Sequence, residues 1–359
     1  MFKHHKAVVL LLAILAGSLP VSGDLKKPQK KRGPKVEVTG SAPVVLWRNP
    51  VDLSTRDLFY GPGGKAHEPR GAMTFVEEDR EGSNPKFVVR DNDGVQWKVK
   101  LDEEVRSETA AARLIWAAGF TAHENYYVAE LRVSEMPARL HRGQKYVDRD
   151  GTVHHVRLKR DPQDMEKTGN WRWRNNPFRD TREMNGLRVM MALINNWDLK
   201  DVNNAVYRQR KIPTKEGGAA DGGGETKAEP EYESIYVVSD LGASFGNTGL
   251  MRRHSKNNLE AYADSKFITH VTEDYVDFST PGRPALGVLF NPHEYFMRVK
   301  IRWIGKRIPR ADARWMGQIL AQLSPAQIRD AFRAAGYSPQ EIEGFASVVQ
   351  NRIAQLNKL

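Results

Sequence analysis

Residues 198–203 read Asp198-Leu199-Lys200-Asp201-Val202-Asn203, placing a carboxylate, an ammonium and an amide at the first, third and sixth positions. By average residue usage, the fixed set Asp, Leu, Lys and Asn occurs in a chain of 359 residues below about one time in 100. The run is bounded by regular structure. Before it, Met184, Leu187, Met190, Met191 and Leu193 recur at helical spacing, which predicts a helix over 181–195. After it, strands are predicted over 205–208 and 235–239, and the second ends in Asp240-Leu241-Gly242. The glycine-rich, charged residues between these strands have the composition of a flexible hairpin tip, an insertion placed at 211–232.

Upstream, the pattern is of short strands: 74–77, 86–90 and 95–101, the last two joined by Asp91-Asn92-Asp93-Gly94, a strong hairpin signal. Residues 103–118 carry Val105, Ala112, Leu114, Ile115 and Trp116 among charges and stop at Gly119, which predicts a helix. Another strand is expected over 126–133. Three strands, a helix and a further strand make an antiparallel sheet carrying one helix. Side chains alternate along a strand, so Lys98 and Lys100 share one face, and Glu108 lies on the helix that follows.

Phosphoryl transfer needs a cation to hold nucleotide phosphates, oxygen ligands to hold magnesium, and an acceptor for the incoming hydroxyl's proton. The chain supplies all three in order. The Asp198 run has the spacing of a kinase catalytic loop, and the strand ending in Asp240-Leu241-Gly242 resembles the magnesium-binding Asp-Phe-Gly turn, with leucine for phenylalanine. Over roughly Thr74 to Gly246 the chain resembles the atypical kinases of the protein-kinase-like superfamily, nearer to the HipA, spore-coat CotH and secretory-pathway groups than to ordinary eukaryotic kinases.

That resemblance implies an α+β, two-lobed fold: a small antiparallel-sheet N-lobe with one helix over 46–135, and a mainly helical C-lobe over 136–359. It further implies that Asp198 orients the acceptor hydroxyl or takes its proton and that Lys200 neutralises the transferred phosphoryl group. Asn203 and Asp240 would hold Mg, and a strand lysine paired with Glu108 would secure ATP or another nucleotide. Lys100, nearest the strand end, is preferred to Lys98. Gly82-Ser83-Asn84-Pro85-Lys86 sits where the HipA-like pattern has a phosphate-covering loop, which makes Gly82, Ser83 and Lys86 candidate nucleotide contacts. The chain departs from the kinase pattern in having no GxGxxG loop, no Ala-Pro-Glu segment after Asp240, and Trp197 in place of arginine before the catalytic aspartate.

The amino-terminal residues have the three-part layout of a secretory signal peptide: Lys3 and Lys6, an apolar run from Ala7 to Ala16, then Gly17, Ser18 and Pro20. Cleavage is expected after Gly23, giving a periplasmic or extracellular protein. Residues 24–45 then form a basic, disordered linker, beginning Asp24-Leu25-Lys26-Lys27-Pro28, able to rest on an anionic envelope surface. Removing Lys3 and Lys6 takes the formal charge from +11 to +9. Export argues against nucleic acid as the partner of that arm, and a monomer is expected.

The chain has no cysteine, which excludes thiolate metal sites, cysteine nucleophiles and disulfides. His123, His141, His154, His155, His254 and His270 are scattered without an HExxH, which argues against a metallohydrolase. Gly242-Ala243-Ser244-Phe245-Gly246 reads as the turn after Asp240, and the glycines of 59–65 lack a GK[ST] ending and read as a turn. Near the C-terminus, Ser324-Pro325-Ala326-Gln327 and Ser338-Pro339-Gln340-Glu341 each fit a capping box with proline at the first helical position. Two function classes remain: a phosphotransferase whose acceptor is a protein, lipid or glycan, and an inactive kinase-like binding module of the cell envelope.

Overall fold

The computed structural model describes residues 42–82, 84–196, 198–210, 231–247, 256–279 and 292–359. The expected signal peptide, most of the basic linker, Ser83, Trp197 and residues 211–230 of the insertion lie outside the described residues. Among the described residues, no helix is long and apolar enough to cross a membrane.

In chain order the elements begin with β1 (Val44–Val45), β2 (Met73–Asp79), β3 (Lys86–Arg90), β4 (Gln96–Leu101), α1 (Glu104–Ala117), β5 (Asn125–Ser134), β6 (Thr152–Arg160) and β7 (Met165–Gly169). They continue with α2 (Arg182–Leu193), β8 (Asn204–Arg210), β9 (Tyr232–Val238), α3 (Leu259–Ala263), β10 (Ile268–Val271) and β11 (Tyr275–Phe278). Last come α4 (Pro292–Ile301), β12 (Ile308–Pro309), α5 (Arg310–Leu320), α6 (Pro325–Arg333) and α7 (Pro339–Asn357). The expected two-lobed α+β layout is present.

The small lobe is a closed barrel in the order β2-β3-β4-β6-β5, antiparallel at every pairing except β2 with β5. Its interior is filled by Phe87, Val89, Trp97, Val99, Val156 and Leu158, all nearly inaccessible. Each such side chain stabilises the lobe by about 1.5–3 kcal/mol through burial. The sheet read from sequence lacks β6, so the small lobe continues past the expected boundary at residue 135. The polar run His154, His155, Arg157, Lys159 and Arg160 hides the alternation that turns Val153, Val156 and Leu158 inward. His155 has a left-handed backbone, φ +52°, and both histidines lie exposed, against Tyr127 and Asp148.

In the large lobe, β1-β9-β8-β7 form one sheet and β10-β11-β12 a second, smaller one that the sequence reading lacks. The main core joins α1, α2 and the C-terminal helices through Leu114, Met190, Leu193, Phe245, Phe332 and Phe345. Both expected capping boxes form: Ser324 with Gln327 at α6, and Ser338 with Glu341 at α7. The C-terminal helices also grip the small-lobe side. Arg106 of α1 reaches Glu341, and Gly336, between α6 and α7 with φ +72°, lies against Tyr127 of β5. A Cβ on Gly336 would stand 2.1 Å from Tyr127 Cε1, so only glycine admits this approach.

Candidate active site

The pleat of β4 decides what faces the cleft. Trp97, Val99 and Leu101 fill the barrel, which sends Lys98 and Lys100 to the other side. Register extends this cationic face to both neighbours: Lys86 and Lys100 are cross-strand partners, as are Lys98 and Lys159, and Lys100 and Arg157. Side by side, these charges repel one another unless carboxylates or a bound anion stand against them.

Helix α1 supplies the carboxylates. Lys100 Nζ lies 2.9 Å from Glu108 Oε2, is bonded to Glu104, and stands 3.9 Å from Asp240 Oδ1. Glu104 and Glu108 are one turn apart and so share a helix face. Arg157 closes the other side of Glu108 at 3.2 Å. Burial alone would lower the Lys100 pKa, but Glu108, Asp240 and Glu104 outweigh it and hold the ammonium above the usual lysine range. Burial opposes ionisation of Glu108, yet Arg157 and Lys100 draw its pKa down to about 2. Lys98 instead pairs with Asp79 at 2.7 Å, so the structure places Lys100 against Glu108 and Lys98 elsewhere.

The backbones at Asp198 and Asp240 are tied together through asparagine side chains. Asn196 Oδ1 accepts from the Asp198 N–H at 2.9 Å, while its Nδ2 donates to the Asp240 carbonyl at 3.4 Å. Asn203 Nδ2 donates to the Asp198 carbonyl at 2.8 Å, and the Ser239 N–H donates to the Asn203 carbonyl at 2.9 Å. Lys200 is ion-paired with Asp198 at 2.8 Å. Helix α1 is tied to the same turn, because Ser107 Oγ donates to the Gly242 carbonyl at 2.6 Å. Burial pushes the Asp240 carboxyl up; Lys100 pulls against that, and Glu108 and Glu104 add to it.

The β2–β3 loop reaches the same cluster through Asn84, whose amide bonds Glu104. Gly82 lies at its tip, and its carbonyl accepts from Arg142 at 2.6 Å. Lys86 folds back on this loop, donating to the Glu81 carbonyl at 2.6 Å with Asp79 at 3.7 Å. Arg142 also holds the Asp79 carbonyl, and the backbone N–H groups of His141 and Arg142 bind Glu78.

Beside the Lys100 cluster a cavity of about 410 Å³ opens between the lobes, lined by Val88, Lys98, Lys159, Met165, Tyr207 and Ser239. Burial, reinforced by Arg157, lowers the Lys159 pKa to about 7. No carboxylate contacts its ammonium among the described residues. His123, against Ser239 at 3.2 Å, is held neutral by its burial.

Of the residues expected from sequence, Lys100, Glu108 and Asp240 cluster, Asn196 ties the backbone of the Asp198 loop, which also carries Lys200 and Asn203, to the Asp240 turn, and Lys98 and Lys86 share Asp79. Glu104, Arg157, Asn196, Arg142 and Lys159 are additional. Glu104 was legible as the residue one turn before Glu108; the others depend on tertiary contact.

Carboxylate oxygens of Asp240, Glu104 and Glu108 lie within 4.8 Å of one another, and oxygen donors of this kind suit a hard divalent cation. No protein-family model matches the chain, and no curated protein matches it in sequence. Among solved structures, the Helicobacter pylori proinflammatory kinase CtkA is similar at a TM-score of 0.41 and 12% identity, over 81% of this chain and 98% of that one.

Proposed function

We propose that the chain is a nucleotide-dependent phosphotransferase of kinase-like fold. One observation carries the reading: a buried strand lysine, Lys100, is fixed by a helix glutamate, Glu108, within 3.9 Å of the aspartate that follows β9, while Asn196 braces that turn to the Asp198 loop. Kinases use this combination to secure nucleotide phosphates beside the transfer site.

In this reading Lys100 and the neighbouring cationic face hold the phosphates of ATP or another nucleoside triphosphate. Asp240 and Asn203, with Glu104 beside them, would hold Mg, which supplies charge neutralisation when bound. Asp198 orients the acceptor hydroxyl and takes its proton, and Lys200 faces the transferred group. The sequence of residues 1–23 supports action outside the cytoplasm, on an envelope protein, lipid or glycan, with the basic linker resting on an anionic surface.

A binding module without transfer activity is the second reading. It is favoured by Glu104, which adds a third carboxylate at Lys100 and leaves that ammonium already engaged. Thermal unfolding with ATP, with and without Mg, combined with transfer from labelled ATP into envelope fractions, separates the two. A ligand that binds only the folded state must raise the melting temperature. Stabilisation with labelling supports the phosphotransferase; stabilisation without labelling supports the binder. Absence of any nucleotide-dependent shift overturns both.

A further inference from the structure

A second basic cavity, of about 370 Å³, lies in the large lobe and shares no lining residue with the cleft described above. Arg174, Arg179, Arg188, Lys306 and Arg307 line it, against one carboxylate, Asp180. These cations are not equivalent. Arg188 is buried and fully engaged, donating to the carbonyls of Trp303, Ile304 and Lys306 and to Asn185 Oδ1. Arg179 stands 3.3 Å from Asp180, and Lys306 stands 3.4 Å from Asp277.

Arg174 and Arg307 have no carboxylate partner among the described residues. Their guanidinium groups rest on aromatic faces, Arg174 at 4.7 Å from the Trp303 ring centre and Arg307 at 4.8 Å from that of Tyr275. Arg307 is held there in a left-handed backbone, φ +51°, with its N–H on Asp277 Oδ1 at 2.8 Å. The cavity wall also includes Trp173, 3% exposed, whose indole N–H has no hydrogen-bond partner among the described residues. Buried donors are nearly always paired, and guanidinium groups crowded together seek an anion.

We propose that this cavity is a binding site for a phosphate monoester group carried on a small molecule. A phosphate offers three acceptor oxygens and up to two charges, which suits two unpaired guanidinium forks better than a single carboxylate does. The volume leaves room for a small body beyond the phosphate itself. Occupancy would also be felt at the loop carrying Asp198, since the backbone N–H of Trp173 donates to Asp201 Oδ1 at 3.1 Å. The proposal stands independently of the nucleotide reading.

Calorimetric titration of the full chain with glycerol 3-phosphate, inorganic phosphate, acetate and glycerol tests it. Saturable binding of glycerol 3-phosphate is expected, weakened at least about tenfold in the double variant Arg174→Gln/Arg307→Gln, since charge-assisted pairs are lost. Both arginines are exposed, so the double variant should melt with wild type by circular dichroism. Lys98→Gln/Lys159→Gln, in the other cavity, should leave this binding unchanged. No saturation by about 10 mM ligand, corresponding to less than about 3 kcal/mol, overturns the proposal. So does binding insensitive to the arginine pair, binding abolished by the lysine pair, or acetate binding as well as phosphate.

Discussion

The Lys100 ammonium lies 2.9 Å from Glu108 Oε2, joining the end of β4 to the second turn of α1. Both side chains are almost inaccessible to water, so each charge depends on the other and on Arg157, Glu104 and Asp240. Removing one member of such a pair is more damaging than replacing both, because it strands a buried charge.

Glu108 should make stability acid-sensitive. Its folded pKa of about 2 lies below the ordinary 4.5, so its contribution is fully present above pH 4.5 and is lost as pH falls through about 2. Urea unfolding between pH 5 and pH 2.5 should show this loss. Glu108→Gln should flatten it and cost about 3 kcal/mol at pH 7.

Asp240 and Asp198 should separate binding from turnover. Asp240→Asn should abolish Mg-dependent nucleotide binding, because an amide is a weaker ligand for a hard cation than a carboxylate. Asp198→Asn should retain that binding and lower transfer by about 100-fold or more, as expected for loss of a proton acceptor. Calorimetry and labelled transfer on both variants provide the measurements, and loss of binding in Asp198→Asn would contradict the assigned roles.

Lys159 should couple nucleotide binding to protons. With its pKa near 7, the ammonium is largely deprotonated at pH 8, and an arriving anion favours its protonation. Arg157, Lys98 and Lys167 oppose that proton and Glu108 favours it. Affinity should therefore fall from pH 6 to pH 8, with proton uptake at pH 8 that Lys159→Met removes, read by calorimetry in buffers of different ionisation enthalpy. Without ligand, the same depressed pKa predicts that this residue's destabilising contribution fades as pH rises from about 7 to 10.5.

Gly336→Ala should destabilise the chain. A methyl at φ +72° is strained and would meet Tyr127, so a loss of about 1–3 kcal/mol is expected in denaturant midpoints. Tyr127→Ala in the same background should recover part of it by opening the space.

What was legible in the sequence was local. The Asp-Gly hairpin, the α1 pattern and the two serine-proline capping boxes are each written within a few residues, and all form. The alternation of β4 put both lysines on the cleft face, but choosing Lys100 required the position of α1 over the sheet. β6 was masked by its own composition, since Arg157, Lys159 and Arg160, with the two histidines, break the apolar rhythm of the strand. Asn196 and Arg142 act by bridging segments 44 and more than 60 residues away, a relationship with no signature in spacing.

The seat of Gly336 on Tyr127 has a mechanical meaning. The chain crosses between the lobes twice, between β1 and β2 and near Asp161, where β6 leads toward β7, and the lobes are fastened again by this contact with its neighbouring Arg106–Glu341 pair. A door fixed along one edge swings, whereas one also latched elsewhere only rocks about the line between its fastenings. Entry to the cleft should then depend on the β2–β3 loop and on lysine side chains turning aside, rather than on the two halves of the molecule parting.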